Sequence, residues 1–146
     1  HRPDYPKQIV ELLENECSLP AGSVIADIGS GTGIFSKLLL DNAYTVFGVE
    51  PNREMRQEAE RWLADYLNFR SVSAAAESTG LQERSIDGIT VATAFHWFDH
   101  EKAKIEFRRV LKPKAHCLLV WNIRLSDASP FMNGYEALLK QYGIDL

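Results

Sequence analysis

The sequence has 146 residues, with 16 Lys and Arg against 20 Asp and Glu and a formal net charge of −4. Hydrophobic residues make up 45% and charged residues 25%, the balance of an average globular protein, which excludes a predominantly disordered chain. No apolar run approaches the roughly 18 residues that cross a bilayer, and the acidic balance argues against a nucleic-acid-binding domain. The length predicts one domain over residues 1–146.

Short apolar runs alternate with helical patterns along the chain. Pro6 opens a first helix, whose apolar stripe is Ile9, Leu12 and Leu13. Further helices are predicted after Gly33, after Asn52 and after the N-cap residue Asp99, and a last helix is predicted over residues 131–142. The predicted strands cover residues 24–28, 44–49, 69–73, 86–92 and 117–121.

Strands separated by helical patterns of this length are typical of parallel β-α-β units. The sequence therefore predicts the α/β class and a doubly wound, mainly parallel sheet with helices on both faces. In such sheets ligands bind outside the carboxyl ends of the strands, where the strand order reverses. The segments that directly follow the strands are therefore the candidate site.

A glycine loop follows the first predicted strand. Gly29, Gly31 and Gly33 lie between this strand and a helix, whose N-terminus offers free N–H groups and a partial positive charge. Glu50 ends the next strand, where an acidic side chain commonly accepts hydrogen bonds from a ribose. This order predicts a nucleotide-like ligand; the alternative is a glycine turn that only packs a helix on a strand.

The spacing of the glycines narrows the choice of ligand. The loop has the form G-x-G-x-G, and Ile34 stands where a dinucleotide fingerprint has its third glycine. The sequence also lacks the G-x-x-x-x-G-K-[ST] pattern of a phosphate-binding loop. Both observations argue against NAD(P) and ATP.

Four segments in this order resemble the class I S-adenosylmethionine-dependent methyltransferases. They are the sequences VIADIGSGTG at residues 24–33, VFGVEPN at 46–52, SIDGI at 85–89 and RVLKP at 109–113. Within that family, AFHWFD at residues 94–99 and RPDYP at 2–6 are similar to the type 11, small-molecule branch. The resemblance covers nearly the whole chain and implies a Rossmann-like fold with S-adenosylmethionine as cofactor.

The resemblance also implies which residues bind the cofactor. Asp27 and the loop backbone would hold the methionine part, Glu50 the ribose hydroxyls, and Ala94 and Phe95 would face the sulfonium. Pro51 would lie beside the adenine, and Arg2 would reach the cofactor carboxylate. The complete implied set is Asp27, Gly29, Ser30, Gly31, Gly33, Glu50, Pro51, Ala76, Glu77, Ala94 and Phe95.

The sequence departs from the family pattern in three places. Ala75 stands where many relatives have an Asp that meets the adenine amino group, and Lys114-Ala115 replaces a Gly-Gly turn. The family's sheet has seven strands, whereas the pattern here gives five. We therefore expect the domain to lack its C-terminal antiparallel strands, which would leave the fifth strand as an unpaired edge.

The implied reaction is direct displacement at the methyl group by a small organic acceptor. His96 is a weak candidate for a general base; alternatively, His96 and Trp97 only form a wall of the site. His96 and His100 are a poor metal pair because Asp99 places them on either side of a helix start, so no metal is predicted. Neither a nucleic-acid partner nor a membrane partner is expected.

Two other functions are compatible with some of these residues, and the cysteines bear on the location of the protein. An NAD(P)-binding oxidoreductase shares the strand-order argument, and a non-catalytic nucleotide-binding module would fit the loss of an Asp at Ala75. Cys17 and Cys117 have neither metal-binding spacing nor a disulfide framework, which favours the reducing cytoplasm. The sequence does not indicate an oligomeric state.

Overall fold

Helices and strands alternate along the chain, as the sequence predicts. The computed structural model describes residues 5–124 and 133–141, with side chains up to residue 121. The helices are α1 (Gln8–Asn15), α2 (Ile34–Asp41), α3 (Arg53–Trp62) and α4 (His100–Val110). The strands are β1 (Val24–Ile28), β2 (Thr45–Val49), β3 (Phe69–Val72), β4 (Ile86–Ala92), β5 (Leu111–Arg124) and β6 (Asn133–Gln141).

The strands form one sheet in the order β3-β2-β1-β4-β5-β6. Strands β1 to β5 are parallel, and β6 pairs with β5 in the antiparallel direction. The chain builds outwards from β1 to β3 on one side and then crosses to β4 on the other side of β1. The order therefore reverses between β1 and β4, which confirms the predicted doubly wound α/β fold and places the ligand crevice at the ends of these strands.

Apolar side chains cover both faces of the sheet because neighbouring residues of a strand point to opposite sides. On one face Ile25 and Val46 pack in a cluster that includes α1, α2 and the residue after α3, Leu63. On the other face Ala26 and Ile28 pack with α4, whose Phe107 is fully buried. Helices therefore lie on both faces, and the core is divided into two layers by the sheet.

The prediction of a last helix over residues 131–142 is wrong. Most of residues 131–142 form β6, which pairs with β5 from His116↔Gln141 to Arg124↔Asn133. The segment contains strong helix formers, yet an exposed edge of β5 offers backbone partners that override this local preference. For the same reason the predicted unpaired edge at β5 is wrong, since β6 covers it.

Strand β5 also begins earlier than predicted, at Leu111, directly after α4. Its pairing with β4 is interrupted, because Ile86 pairs with Leu111 while Gly88 pairs with His116. Lys114 lies inside this irregularity with a φ of 65°. Lys114-Ala115, which stand in place of the family's Gly-Gly turn, thus lie in a bulge at the start of β5, at the end of the sheet opposite the cavity.

Trp62, the last residue of α3, is 50% exposed. Only Ala59 of α3 and the following Leu63 are buried, so α3 covers the sheet with a narrow apolar strip.

A buried carboxylate fastens α4 to the segment that precedes β4. Glu106 accepts hydrogen bonds from the Thr79 backbone N–H at 2.8 Å and the Thr79 hydroxyl at 2.6 Å. Arg109 donates to both Glu106 oxygens at 2.8 Å, and this hydrogen-bonded cation is the main cause that lowers the pKa of Glu106 to about 2. Glu106 is 8% exposed, and it lies outside the ligand crevice.

Gly33, which precedes α2, provides a test of how the glycine loop packs on α3. It has a φ of 93°, and a Cβ added there would lie 2.8 Å from Leu63 Cδ1 and 3.3 Å from Ala59 Cβ. Gly22 has a φ of 92° with nothing within 4 Å of an added Cβ. We expect Gly33→Ala to lower the free energy of unfolding by about 1–3 kcal/mol more than Gly22→Ala.

The comparison is made by urea unfolding of both variants and the wild type. Both substitutions carry the same left-handed backbone cost, so the difference isolates the contact between the loop and α3. Equal losses of stability in the two variants would contradict this packing.

Candidate functional site

A cavity of about 570 Å³ opens at the carboxyl ends of β1, β2 and β4. Its volume lies within the range of small-molecule and cofactor sites. Its walls come from the glycine loop, the segment after Val49, the segment after Val91, the start of α2 and Tyr5 from the chain before α1. The cavity therefore lies at the point where the strand order reverses.

The glycine loop is fastened to the end of β2 by its own backbone. Gly29 and Ser30 donate N–H hydrogen bonds to the Val49 carbonyl at 2.8 and 3.2 Å. Gly31 donates its N–H to Glu50 Oε1 at 2.9 Å, and Asn52 donates its N–H to Glu50 Oε2 at 2.9 Å. The carboxylate of Glu50 thus holds the loop on one side and the start of α3 on the other.

Glu50 retains the capacity to bind a ligand. Its side chain is 8% exposed and lines the cavity. Each carboxylate oxygen accepts one backbone hydrogen bond, and an ionised carboxylate offers about four acceptor positions. Both oxygens can therefore accept a further hydrogen bond from a pair of neighbouring hydroxyl groups.

The loops that follow β1 and β4 touch each other at the floor of the cavity. A Cβ added to Gly29, which has a φ of 71°, would lie 2.7 Å from Ala94 Cβ and 3.2 Å from Phe98 Cζ. Only glycine allows this approach, so the motif glycine sets the distance between the two loops.

Asp27 is the second acidic residue of the cavity and is 1% exposed. Ser36 of α2 donates its hydroxyl to Asp27 Oδ2 at 2.7 Å, and Thr90 of β4 donates to Oδ1 at 3.1 Å. Burial raises the pKa of Asp27 to about 7, against the two hydrogen bonds, and the negative charge of Glu50 raises it further. A cation placed beside Asp27 would favour its ionised form.

The structure brings most of the sequence-predicted site residues to the cavity. Those that line it are Asp27, Gly29, Ser30, Gly31, Glu50, Pro51 and Ala94. Four others lie elsewhere: Gly33 packs against α3, and Ala76 is buried in the core. Glu77 accepts the Asp99 N–H at 2.9 Å, and the ring of Phe95 stacks on that of His100 at 4.4 Å.

The two histidines after β4 lie outside the cavity lining. The ring of His96 is exposed and contacts Trp97 at a centroid distance of 4.8 Å, and Trp97 itself lines the cavity. His100 Nε2 lies 3.2 Å from the Phe95 carbonyl oxygen. Among the described residues, no group of three or more His, Cys, Asp or Glu side chains could hold a metal ion. Arg2 lies outside the described residues.

Several lining residues were not predicted from the sequence. Phe35 and Met55 have the spacing of core stripes in α2 and α3, and no local signal separates them from core residues. Tyr5 lines the cavity from the segment before α1, and its only signal is the family-like sequence around it. Phe98 lies one residue beyond the segment after β4, residues 93–97, that the topology marks as a candidate and that supplies Thr93.

Thr93 has an unusual backbone. Its φ is 55°, a left-handed conformation that costs a β-branched residue on the order of 1–3 kcal/mol. The bend is fixed by the Thr93 N–H, which donates to the Val120 carbonyl at 2.7 Å. The Thr93 hydroxyl lies 3.2 Å from the hydroxyl of Tyr5, 88 residues away in the sequence. Strain of this kind is concentrated at ligand-binding positions.

The fold and the position of the cavity define the class of doubly wound α/β proteins, and the comparisons identify the family. The type 11 methyltransferase domain family matches residues 26–119. The chain therefore belongs to this family, within the class I S-adenosylmethionine-dependent methyltransferases.

Individual relatives agree with this assignment. An uncharacterised methyltransferase of Schizosaccharomyces pombe is 31% identical over 96% of this chain and 55% of its own length. A solved structure described as a proposed type II methyltransferase from Anaeromyxobacter dehalogenans is 33% identical, with a TM-score of 0.73 over 84% of this chain and 49% of that one. The chain thus spans about half the length of these two proteins.

A more distant structure shares the fold alone. It is a phosphoethanolamine N-methyltransferase of Haemonchus contortus, solved with S-adenosyl-L-methionine, that is 20% identical with a TM-score of 0.69. The alignment covers 80% of this chain and 28% of that chain.

The raised pKa of Asp27 predicts a pH dependence of stability. Because the folded pKa of about 7 exceeds the unfolded value of 3.8, the folded state holds an extra proton between these values. The contribution of Asp27 to the free energy of unfolding therefore falls by about 1.4 kcal/mol per pH unit as the pH rises towards 7, and is constant above.

Urea unfolding of the wild type and of Asp27→Asn at pH 5, 6, 7 and 8 measures this contribution. We expect the difference in unfolding free energy between the two proteins to decrease from pH 5 to pH 7 and then level off. A difference that stays constant from pH 5 upwards would mean that Asp27 is ionised throughout.

Proposed function

We propose that the protein transfers the methyl group of S-adenosylmethionine to a small organic acceptor by direct displacement. The observation that carries this proposal is the junction of the glycine loop with Glu50 in a cavity across the ends of β1, β2 and β4. Membership of the methyltransferase family supplies the reaction type. The distant neighbour solved with S-adenosyl-L-methionine supports the choice of cofactor.

The residues of the cavity fit this cofactor. Glu50 has acceptor positions left on both oxygens for the two ribose hydroxyls, and Pro51 lies next to it for the adenine side. Asp27 is suited to the ammonium group because its buried carboxylate gains most from a cation. The backbone of Gly29, Ser30 and Gly31 lines the cavity between these two acids. The bound cofactor would supply a methyl group activated by the positive sulfonium.

In the proposed reaction the protein contributes the orientation of the acceptor relative to the methyl group. Holding an acceptor in line with the methyl group removes several kcal/mol of the roughly 7–11 kcal/mol available from proximity. An acceptor that arrives deprotonated needs no base. We keep His96 only as a hypothesis for a base, since its ring is exposed and does not line the cavity.

The sequence after β4 and the net charge of the chain favour a small organic acceptor. The segment after β4 lacks the N/D-P-P-Y sequence of enzymes that methylate amino groups of adenine or glutamine, and the net charge of −4 disfavours nucleic acid. Among the described helices, none is long and apolar enough to cross a membrane. Cys17 and Cys117 are buried, and neither is in a disulfide within the described part of the chain, which supports our proposal of a cytoplasmic location.

Binding of S-adenosylhomocysteine tests the cofactor site. We expect this product to bind the wild type and to raise its melting temperature. Glu50→Ala removes two charge-assisted hydrogen bonds to the ribose, each worth about 1.5–3 kcal/mol, so its dissociation constant should rise by about 10²–10⁴-fold in calorimetry.

Glu106→Ala is the matched control, because Glu106 is a carboxylate of equal burial in a hydrogen-bonded network away from the cavity. It should lower the melting temperature and leave the dissociation constant within about twofold. The site assignment fails if Glu50→Ala binds S-adenosylhomocysteine as tightly as the wild type. Binding of NADH in place of S-adenosylhomocysteine would favour the oxidoreductase alternative instead.

Methyl transfer from labelled S-adenosylmethionine to a panel of small metabolites, with DNA and RNA alongside, tests the reaction itself. We expect label in the metabolite fraction only. If His96 is the base, His96→Ala lowers turnover by about 10²–10⁴-fold and leaves cofactor affinity unchanged. Loss of affinity without a specific loss of turnover would assign His96 to the wall of the site. Cofactor binding without any transfer would favour a non-catalytic nucleotide-binding module.

A further inference from the structure

The backbone and the side chain of Glu50 are both held by hydrogen bonds. Its N–H donates to the Val72 carbonyl of β3 at 3.0 Å, and its two carboxylate oxygens accept the N–H groups of Gly31 and Asn52. Its carbonyl oxygen accepts a hydrogen bond from Arg56 Nη1 at 3.1 Å. Among these described partners of Glu50, Arg56 alone acts through its side chain, so this contact can be removed by substitution.

Arg56 lies in the first turn of α3 and reaches back to the segment that joins β2 to this helix. Its backbone N–H donates to the Asn52 carbonyl at 3.0 Å, within the start of the helix. Its guanidinium group turns the other way, to the carbonyl of Glu50 and, in a longer contact of 3.4 Å, to that of Pro51. The side chain therefore ties α3 to the two peptides that follow β2.

The guanidinium group of Arg56 is itself held in position. Its Nε lies 3.7 Å from Glu60 Oε1, one turn further along α3, and the same oxygen accepts the Ser71 hydroxyl of β3 at 2.7 Å. The Arg56 side chain is only 16% exposed, and a charged group this far from water is stable only when its donors are paired. The contacts with carbonyl and carboxylate oxygens supply this pairing and fix the direction of the side chain.

Arg56 can act on a ligand of the cavity only through Glu50, because it lies outside the described lining. The hydrogen bond to the Glu50 carbonyl restrains rotation of the peptide between Glu50 and Pro51. This rotation changes the direction in which the Glu50 side chain leaves the backbone. Ligand-binding groups have to be held within about 0.5 Å of the productive geometry, so a small rotation is enough to weaken binding.

We infer that Arg56 is a positioning residue that orients the Glu50 carboxylate towards the ribose of the cofactor. This inference rests on the proposed function, since it assumes that Glu50 accepts hydrogen bonds from the two ribose hydroxyls. It adds a residue outside the cavity to those that determine recognition of the ribose.

The test compares two ligands that differ only in the ribose hydroxyls, S-adenosylhomocysteine and its 2′,3′-dideoxy analogue. Calorimetry gives both dissociation constants for the wild type, Arg56→Met and Arg56→Lys. The ratio of the two constants measures recognition of the hydroxyls. A loss of stability does not change this ratio, because both ligands bind the same folded protein.

Arg70→Met is the matched control. Arg70 Nη1 also donates to two backbone carbonyls, those of Leu67 and Phe69 at 2.8 and 3.1 Å, and Arg70 lies outside the described lining of the cavity. The control thus removes the same kind of contact from a part of the chain that does not hold Glu50.

We expect the wild type to bind S-adenosylhomocysteine about 10²–10⁴-fold more tightly than the dideoxy analogue. Arg56→Met should lower this ratio by about tenfold, the value of one hydrogen bond to a charged group, and change the affinity for the analogue less than about twofold. Arg56→Lys keeps a cationic donor and should restore part of the ratio. Arg70→Met should leave it within about twofold of the wild type.

Two results would overturn the inference. Equal weakening of both ligands by Arg56→Met would mean that Arg56 only supports the shape of the cavity. Unchanged binding of both ligands would mean that the backbone contacts of Glu50 orient it without Arg56.

The same measurements separate this inference from the proposed function. A wild type that prefers S-adenosylhomocysteine over the dideoxy analogue, with the same preference in Arg56→Met, rejects the role of Arg56 alone. A wild type that binds both ligands equally rejects the assignment of Glu50 to the ribose and the inference with it. A wild type that does not bind S-adenosylhomocysteine rejects the proposed function and the inference together.

Discussion

The hydrogen bonds between the glycine loop and the end of β2 are the constraint on which the site depends. Parallel strands place the loop after β1 and the acid after β2 at the same edge of the sheet, but pairing alone does not orient a flexible glycine loop. Two N–H groups of the loop donate to the Val49 carbonyl, and a third donates to Glu50. The backbone of the loop and the carboxylate of Glu50 are thus held in register by the fold itself.

Asp27 extends this constraint to the other side of β1. Its carboxylate accepts hydrogen bonds from α2 through Ser36 and from β4 through Thr90, so three elements meet at one buried group. Removal from water disfavours the charge of Asp27 more than these hydrogen bonds favour it, and its pKa is therefore raised to about 7. A buried acid in this condition gains from a nearby cation, which supports the role that we propose for Asp27 towards an ammonium group.

The sequence predicts the elements whose signals are local and misses those that depend on a distant partner. The bounds of β1 and β4 agree with prediction because each is a buried apolar run that ends at a turn. The sequence of β6 predicts a helix, because this segment becomes a strand only by pairing with the free edge of β5. In the site, the position of Glu50 can be predicted from the topology of the sheet. The contact of Tyr5 with Thr93 cannot, because it joins residues 88 positions apart. The directions of Ala76 and Phe95 could not be predicted, because short segments between strands and helices have no periodicity that fixes the direction of a side chain.

The charge of the cavity distinguishes between the two nucleotide cofactors that this topology can bind. A dinucleotide carries a diphosphate, and the described lining offers it two carboxylates and no basic side chain. S-adenosylmethionine carries a sulfonium and an ammonium group against one carboxylate, so its net charge is opposite to that of the cavity. This difference in sign favours the methyl donor, in agreement with the spacing of the glycines. Under the proposed function, the same acids would hold the neutral product less tightly than the donor, because the positive charge of the sulfonium is lost on methyl transfer.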